Sequence, residues 1–232
     1  MRDLPQSLML FAAGLGTRMG AMTAARPKPL IEVAGRALID HALDLVDGAG
    51  IAKTVMNLHY LPDQIRAHVK GRHVGFSAEP GLILETGGGL RAAVPLLGAG
   101  PVFTLNSDAV WTGRNPLIEL RDAWDATGMD GLLMLMPTDQ ATGHTGGGDF
   151  DLDAKGRLIR ARGTGRYVYL GAQILRTEGL ADFTEAAFSL NRLWDRMIEA
   201  GRLFGTVHQG GWCDVGRPEG IALAEALLRG EA

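Results

Sequence analysis

Short apolar segments alternate with helix-forming segments along the first 136 residues of the chain. Apolar runs with strand character lie at 8–13, 54–58, 74–77, 101–105 and 131–136. Segments with helical spacing, or with a proline suited to a first helical turn, lie between them at 38–46, 62–69, 87–97 and 116–126. Strands that alternate with helices form parallel sheets covered by helices. The sequence therefore predicts an α/β fold with an open, mainly parallel sheet.

The pattern changes after residue 145. Polar and apolar residues alternate over 146–152, residues 153–156 have the composition of a hairpin turn, and strands are predicted at 157–162 and 167–175. A helix, a short strand and a closing helix are predicted at 190–200, 204–208 and 218–228. These features predict a small antiparallel part within a mixed sheet. We expect a single domain over 1–232, made of one half at 1–136, a second half at 146–216 and a closing helix at 217–232.

Composition restricts the partners of the chain. Its net charge is −3, with 23 Lys+Arg against 26 Asp+Glu, so no basic excess supports binding to nucleic acid. No apolar run approaches the length of a membrane span, and the N-terminus lacks a signal-peptide pattern. The one cysteine, Cys213, suits a reducing compartment. We therefore expect a cytoplasmic protein that binds neither nucleic acid nor membranes, and we expect a monomer or a small homo-oligomer.

The first predicted strand leads into a glycine-containing loop. Gly14 and Gly16 are followed by Arg18, and Lys28 lies between two prolines shortly afterwards. Glycines let backbone N–H groups approach an anion, and the two cations supply charge. The loop lacks the third glycine of a dinucleotide-binding fingerprint, because Met19 occupies that position, and it lacks the G-x-x-x-x-G-K of a P-loop. It is therefore either a nucleoside triphosphate site or an ordinary glycine-rich turn.

Two aspartates are candidate metal ligands. Asp108 closely follows a buried strand, and Asp214 lies in a short segment between glycines. Ligands of open α/β sheets bind beyond the carboxyl ends of the strands, and Mg²⁺ prefers hard oxygen ligands. Taken alone, Asp108 also suits a turn or a helix N-cap, so its proximity to Asp214 is a test of metal binding. The six histidines show no zinc-site spacing.

A run of three glycines follows Glu85 and Thr86 at the start of a predicted helix. Glycines there can admit a flat base or sugar against the backbone, and a helix N-terminus favours an anion. Glu85 is then a candidate acceptor of hydrogen bonds from a sugar or a base. The alternative is that Thr86 caps the helix and that the glycines only make its entry flexible.

Together these segments resemble a known family. A-A-G-L-G-T-R-M at 12–19, followed by P-K-P-L at 27–30, is similar to the signature of the sugar-1-phosphate nucleotidylyltransferases. N-S-D at 106–108 and W-C-D-V-G at 212–216 resemble two segments of that family that carry functional aspartates. Ser107 replaces the family's usual glycine and Arg217 its usual threonine, and neither change removes a charged ligand. The resemblance extends from residue 8 to residue 228.

The resemblance implies a Rossmann-like sheet of the nucleotide-diphospho-sugar transferase type and a Mg²⁺-dependent nucleotidyltransferase. Its substrates would be an NTP and a sugar 1-phosphate, and its products an NDP-sugar and pyrophosphate. The two catalytic cations would be Arg18, on the departing pyrophosphate, and Lys28, on the reacting phosphates. The nucleotide would contact Ala12, Ala13, Gly14, Gly16, Thr17, Arg18 and Lys28. The sugar would contact Glu85, Thr86, Gly87, Asn106, Asp149 and Gly171. Mg²⁺ would bind Asp108 and Asp214. Two further arginines, Arg162 and Arg166, are either additional phosphate ligands or part of a solvated basic face.

Within the family, E-T-G-G-G at 85–89, G-D-F at 148–150 and the short chain resemble the N-acetylmuramate-1-phosphate uridylyltransferases. That resemblance implies UTP and N-acetylmuramate 1-phosphate as substrates, in peptidoglycan recycling. The alternatives in the same class are mannose 1-phosphate with GTP and another sugar or choline phosphate. The alternative from a different class is a non-catalytic, nucleotide-binding regulator.

Overall fold

The computed structural model describes residues 4–231, apart from the side chains of residues 162 and 163. The strands in this part of the chain are β1 (Ser7–Phe11), β2 (Glu32–Val33), β3 (Arg36–Ala37), β4 (Lys53–Leu58), β5 (Val74–Ala78), β6 (Val102–Asn106), β7 (Ala109–Trp111), β8 (Gly131–Pro137), β9 (Gly148–Leu152), β10 (Leu158–Gly165), β11 (Tyr167–Leu175), β12 (Leu203–Val207) and β13 (Trp212–Asp214). The α-helices are α1 (Leu38–Gly48), α2 (Pro62–His68), α3 (Glu85–Leu97), α4 (Pro116–Ala123), α5 (Asn191–Glu199) and α6 (Glu219–Arg229). Short 3-10 helices lie at Thr17–Thr23, Lys28–Leu30, Thr138–Gln140 and Glu178–Asp182.

The strands of the first half form a parallel arrangement in the order β6, β1, β4, β5. In its centre, Leu10 of β1 pairs with Leu105 of β6 on one side and with Met56 of β4 on the other. Side chains of β1 alternate between two cores, with Leu8 and Leu10 in one and Met9 in the other. Because both faces of the strand are covered, its sequence is a continuous apolar run.

The same sheet continues into antiparallel strands. β11 pairs antiparallel with β6, β8 and β9, and β9 pairs antiparallel with β10. β12 runs parallel to β8. The prediction of a mixed sheet flanked by helices is confirmed. The antiparallel strands extend the parallel sheet through the pairing of β11 with β6, so the two halves of the chain share one sheet.

A separate two-stranded sheet joins β7 to β13, where the sequence pattern predicts no strands. Trp111 and Trp212 lie opposite each other in this sheet, with ring centroids 6.4 Å apart. Each strand has only three residues. Such a segment is too short to show the alternation by which strands are recognised. The pairing carries the segment that contains Asp214 to the end of β6.

The six α-helices differ from their predicted bounds by one to three residues, and the differences in α3 and α4 have a structural cause. α3 begins at Glu85 rather than at residue 87, so the glycine run lies inside the helix. α4 ends at Ala123 rather than at residue 126, because Trp124 adopts extended backbone with φ −69° and ψ 126°. Trp124 is only 2% exposed and belongs to the core. Packing of this large side chain therefore ends the helix early.

The helices cover both faces of the sheet. Leu43 of α1 and Leu120 of α4 belong to the core on one face, and Leu90 of α3 and Leu193 of α5 belong to the core on the other. Within residues 4–231, no helix combines the length and the apolar character needed to cross a bilayer.

Candidate active site

The first of two adjoining cavities lies at the carboxyl ends of the parallel strands. Its volume is about 210 Å³. It is lined by the ends of β1, β4 and β6 and by the segment around the start of α3, through Phe11, Ala12, Ala13, Gly14, Lys28, Pro29, Asn57, Glu79, Ile83, Glu85, Thr86, Asn106, Ser107 and Asp108. This is the position at which open α/β sheets bind ligands. The cavity collects most of the nucleotide-binding residues predicted from the glycine loop.

The loop after β1 folds back onto the segment that carries Lys28. Gly16 has φ +65°, and a Cβ atom there would lie 2.8 Å from the Lys28 Cβ atom. The Thr23 hydroxyl donates hydrogen bonds to the carbonyl oxygens of Gly16 and Gly20 at 3.1 and 3.2 Å. Glycine at position 16 is thus required by a left-handed backbone and a close contact within the chain. Gly14 differs, because a Cβ atom there would meet nothing within 4 Å and the residue lines the cavity, so its backbone is open to a ligand.

Two buried polar residues in the first cavity are absent from the predicted site. Asn57 and Glu79 are 4% and 2% exposed. The Ala12 N–H donates to Asn57 Oδ1 at 2.8 Å, and Asn57 Nδ2 donates to Glu79 Oε1 at 2.7 Å. The Leu84 N–H donates to the second oxygen of Glu79 at 2.9 Å. This network joins the glycine loop to the segment before α3. Its only signals in the sequence are one amide within the apolar run of β4 and one carboxylate after β5.

Lys28 and Asp108 form an ion pair at the end of β6. The Lys28 Nζ atom lies 2.8 Å from Asp108 Oδ2, and the two side chains are 10% and 29% exposed. The Ser107 hydroxyl donates to the Phe11 carbonyl oxygen at 2.7 Å and so ties the end of β6 to the end of β1. Serine in place of the family's usual glycine therefore has a structural partner. The ion pair places one cation beside one of the two candidate metal ligands.

Asp214 lies close to Asp108 because β7 and β13 pair. The Val215 N–H donates to the Asp108 carbonyl oxygen at 2.9 Å. Burial and the charge of Asp108 raise the pKa of Asp214, while the charges of Lys28 and Arg18 act in the opposite direction. The structure thus brings together the two predicted metal ligands and the two predicted catalytic cations. Arg18 is exposed in the 3-10 helix after the glycine loop, next to Thr17, and neither residue is among those that line the two cavities of the site.

The pair of aspartates fits a divalent cation that takes few protein ligands. Asp108 and Asp214 offer hard carboxylate oxygens, and a cation held by them would offset the burial and the repulsion by Asp108 that raise the pKa of Asp214. Among residues 4–231, no group of three or more His, Cys, Asp or Glu side chains is arranged to hold a metal. A cation here would therefore complete its shell with water and phosphate oxygens, as Mg²⁺ commonly does at phosphate sites.

The glycine run of α3 packs against the chain itself. A Cβ atom at Gly87 would lie 2.4 Å from the ring of Phe188, and one at Gly89 would lie 2.7 Å from the carboxylate of Glu79. The Gly87 N–H donates to the Phe188 carbonyl oxygen at 2.8 Å. Protein atoms therefore occupy the space in which the sequence led us to expect a flat base or sugar.

Glu85 and Thr86 lie at the junction of the two cavities. Glu85 lines the first cavity and has φ +58°, which is uncommon for a residue other than glycine. Thr86 lines both cavities, and its hydroxyl oxygen accepts a hydrogen bond from the Leu190 N–H at 3.0 Å. Thr86 therefore joins α3 to the segment before α5 and does not cap the helix.

The second cavity has a volume of about 260 Å³ and shares Phe11, Thr86 and Asn106 with the first. Its other walls come from the antiparallel strands and α5, through Asp149, Phe150, Arg160, Tyr169, Gln173, Ser189, Leu190, Asn191 and Trp194. Of the predicted sugar-binding residues, Thr86, Asn106 and Asp149 line it. Gly171 lies behind the Asn106 side chain, where a Cβ atom would be 2.8 Å from Asn106 Nδ2. Neither Gly171 nor Gly87 is among the lining residues.

Aromatic side chains stiffen the second cavity. The ring of Trp194 lies edge-on to those of Tyr169 and Phe150, at centroid distances of 4.9 and 6.0 Å. Trp194 Nε1 donates to Gln173 Oε1 at 2.9 Å, and the Tyr169 N–H donates to Asp149 Oδ2 at 2.9 Å. Asp149 and Gln173 therefore line the cavity and are also held in place by hydrogen bonds from neighbouring residues.

Of the two further arginines, only Arg166 has a described side chain, and it lies outside the site. The side chain of Arg166 is 69% exposed and pairs with Asp151 at 2.9 Å, outside both cavities. The side chain of Arg162 lies outside the described residues.

Comparison with known proteins identifies the family. Residues 8–145 match the family described as the MobA-like NTP transferase domain. The chain is 41% identical to the N-acetylmuramate alpha-1-phosphate uridylyltransferase of Caulobacter vibrioides, over 98% of this chain and 99% of that protein. It is 32% identical to the protein of that name from Neisseria meningitidis serogroup B, over 94% of this chain and 96% of that protein. The chain belongs to the family of MobA-like NTP transferases, and the resemblance inferred from its motifs is confirmed.

A solved structure shares the fold. HddC from Yersinia pseudotuberculosis, complexed with GMP-PN, superposes with a TM-score of 0.77 over 95% of this chain and 98% of that chain. The two sequences are 21% identical, so the likeness concerns the fold. The fold expected from the resemblance is thereby confirmed.

Proposed function

We propose that this member of the family of MobA-like NTP transferases transfers a uridylyl group from UTP to N-acetylmuramate 1-phosphate. The products are UDP-N-acetylmuramate, for peptidoglycan recycling, and pyrophosphate. The observation that carries the proposal is the pair of adjoining cavities that share Asn106, with Lys28 and Asp108 lining the first of them and Asp214 close to Asp108. A reaction between two phosphate-bearing substrates needs two such cavities and positive charge where they meet. The choice of base and sugar follows the relative that is 41% identical.

The transfer reaction requires few catalytic groups from the protein. The attacking group is a phosphate oxygen that is already ionised near neutral pH, so no general base is required. A new bond joins this oxygen to the α-phosphorus of UTP. The bond from the α-phosphorus to the bridging oxygen breaks, and pyrophosphate leaves with the electron pair. Two polyanions must be held in line and their repulsion offset, which is the main requirement of phosphoryl and nucleotidyl transfer.

The two cations divide this work in the proposal. Lys28 neutralises the α-phosphate and the attacking phosphate, since it is buried beside Asp108 at the end of β6. Arg18, which is exposed and whose charge acts on Asp214, holds the departing pyrophosphate. Removal of one preorganised donor of this kind typically costs about 3 kcal/mol of transition-state stabilisation.

Mg²⁺ is the proposed cofactor. Asp108 and Asp214 would hold it, because their oxygens are hard ligands and their like charges lie close together. The bound ion would supply further charge neutralisation to the phosphates. Activity should disappear with excess EDTA and return with Mg²⁺.

The remaining predicted residues shape the two cavities. Ala12, Ala13 and Gly14 present backbone to the nucleotide, while Gly16 sets the loop that carries Thr17. Glu85, Thr86, Asn106 and Asp149 face the acceptor sugar. Gly87 and Gly171 do not line the cavities. Their missing side chains leave room for Phe188 and Asn106 respectively.

A panel of substrates tests the proposal. Purified protein with Mg²⁺ is given each of UTP, GTP, CTP and ATP with N-acetylmuramate 1-phosphate, mannose 1-phosphate or phosphocholine, and pyrophosphate release is measured. The highest kcat/KM is expected for UTP with N-acetylmuramate 1-phosphate. A preference for GTP with mannose 1-phosphate would overturn the assigned specificity. Nucleotide binding without pyrophosphate release from any pair would indicate a non-catalytic regulator.

A further inference from the structure

The second cavity contains an arginine for which nucleotidyl transfer itself has no use. Arg160, on β10, lines this cavity together with Asp149 and Trp194. Its side chain is 25% exposed. It is the only cation among the described residues that line the cavity. The reacting phosphates lie near Lys28 at the other cavity in the proposed mechanism, so they do not require Arg160, whose charge is paired with Asp195.

The guanidinium group of Arg160 is held on several sides. Its central carbon lies 4.7 Å from the ring centroid of Phe150 and 5.9 Å from that of Trp194. Nε and Nη2 donate to Asp195 Oδ1 at 3.1 and 2.6 Å, and Nη1 donates to Asn191 Oδ1 at 2.8 Å. A planar cation that is fixed in this way loses little side-chain freedom when it binds a ligand.

The same contacts leave Arg160 with donor capacity. A guanidinium group has five N–H donors. Two hydrogen bonds to Asp195 and two to Asn191 engage four of them. Among the described residues, the second N–H of Nη1 has no hydrogen-bond partner. The group matches an additional carboxylate, because charge-assisted bonds from arginine to carboxylates are short and strong.

We propose that Arg160 binds the carboxylate of the acceptor sugar and so selects a muramate-type sugar 1-phosphate over its neutral counterpart. The inference rests on the proposed function and assigns the residue that recognises the group peculiar to that acceptor. N-acetylmuramate is N-acetylglucosamine with a lactyl ether, and the lactyl carboxylate is ionised at neutral pH. A site with a polar partner for such a group discriminates strongly against an analogue that lacks it.

The experiment compares two acceptors that differ only in the lactyl group. The kcat/KM values for N-acetylmuramate 1-phosphate and N-acetylglucosamine 1-phosphate are measured at saturating UTP for the wild type, Arg160→Met, Arg160→Lys and Arg166→Met. The wild type is expected to favour the muramate by at least about 10-fold. Arg160→Met should lose about 10- to 100-fold on the muramate and stay within about twofold on the other acceptor. Arg160→Lys should keep part of the preference, since it retains the charge without the fork.

Arg166→Met is the matched control. Arg166 directly follows β10, the strand that carries Arg160, but it is exposed and pairs with Asp151 outside the cavity. It should leave both acceptors unchanged. Equal losses on both acceptors with Arg160→Met, in a protein with wild-type thermal unfolding, would overturn the inference, since Arg160 would then only support the wall. If Arg160→Met does not fold, the same comparison is made with Arg160→Lys. Equal losses of kcat/KM on both acceptors with that variant would overturn the inference. Equal use of both acceptors by the wild type would also overturn it while leaving nucleotidyl transfer intact. No pyrophosphate from either acceptor would instead refute the proposed function.

Discussion

The two cavities are built in different ways. The first is formed by backbone and short loops at the ends of parallel strands, and Gly14 shows the character of this wall. The second is formed by large side chains of antiparallel strands and α5, among them Trp194. Their electrostatics differ as well. Asp214 and Asp108 repel each other at the first cavity, whereas Arg160 at the second already has a partner in Asp195.

This difference between the cavities suggests that the first determines the rate of transfer and the second determines the selectivity for the acceptor. The two carboxylates at the first cavity favour the binding of a cation, and Lys28 and Arg18 favour the binding of phosphates, which every acceptor shares. Fixed rings and a compensated arginine at the second cavity favour one shape and charge of ligand over another. We therefore expect substitutions at the first cavity to affect every substrate pair, and those at the second to change the ranking of acceptors.

The largest expected effect is on turnover at the first cavity. Lys28→Ala and Asp108→Asn should each lower kcat about 100-fold or more, because each removes charge from the point where the phosphates react. The loss should be similar for every acceptor, as measured by pyrophosphate release. Arg26→Ala is the control. The Arg26 side chain is 53% exposed, and its ion-pair contact to Glu32 is long at 4.0 Å. Retention of full rate by both substituted enzymes would refute the assigned site.

A smaller effect is expected for Asp149→Ala at the second cavity. The KM for the acceptor should rise about 10-fold with the KM for UTP unchanged, because Asp149 faces the acceptor and accepts the Tyr169 N–H. Steady-state kinetics with each substrate varied in turn measure both constants. Asp151→Ala, on the same strand but paired with Arg166, should alter neither KM. A parallel rise in the KM for UTP would show that the two cavities do not act separately.

Asn57→Ala should weaken both folding and nucleotide binding. It leaves the Ala12 N–H and the Glu79 carboxylate without their buried partner, which costs about 1–3 kcal/mol of unfolding free energy, and the KM for UTP should rise severalfold. Asn115→Ala removes the cap of α4 and a bond to Leu45 far from both cavities. It should cost about 1 kcal/mol of unfolding free energy without changing that KM. Urea unfolding and kinetics of both variants make the comparison. An unchanged KM for Asn57→Ala would limit the network to a structural role.

The smallest expected effect concerns the stability of the metal-free protein. Because the pKa of Asp214 is raised on folding, the folded chain binds its proton more tightly than the unfolded chain does. The carboxyl group therefore favours the folded state at acidic pH, and its ionised form opposes folding once the pH exceeds the raised pKa. Asp214→Asn should remove that cost at pH 7 and raise Tm in EDTA by about 1–3 °C while abolishing turnover.

Asp195→Asn tests the opposite case at the second cavity. It breaks a half-exposed ion pair with Arg160, so Tm should stay the same or fall slightly. A lower Tm for Asp214→Asn than for the wild type would contradict the proposed difference in electrostatics.

Local chemistry explains why much of the first cavity can be predicted. Gly14, Gly16, Arg18 and Lys28 lie within 15 residues of one another, so their pattern is visible in a short stretch of sequence. The alternation of strands and helices is equally local, and the parallel part of the sheet follows from it. Asn57 and Glu79 are not predicted, because the role of each buried polar residue depends on a hydrogen-bond partner that is distant in the sequence.

The sequence by itself determined the order of the longer strands and helices, the glycine loop and the presence of two candidate metal-binding aspartates. Only the tertiary structure decided that Asp108 and Asp214 are neighbours, because that contact depends on two three-residue strands that carry no periodic signal. It also decided that the glycines of α3 admit Phe188 rather than open space, and that Arg160 faces a cavity. Packing between segments far apart in the chain decides these features, and no local pattern encodes it.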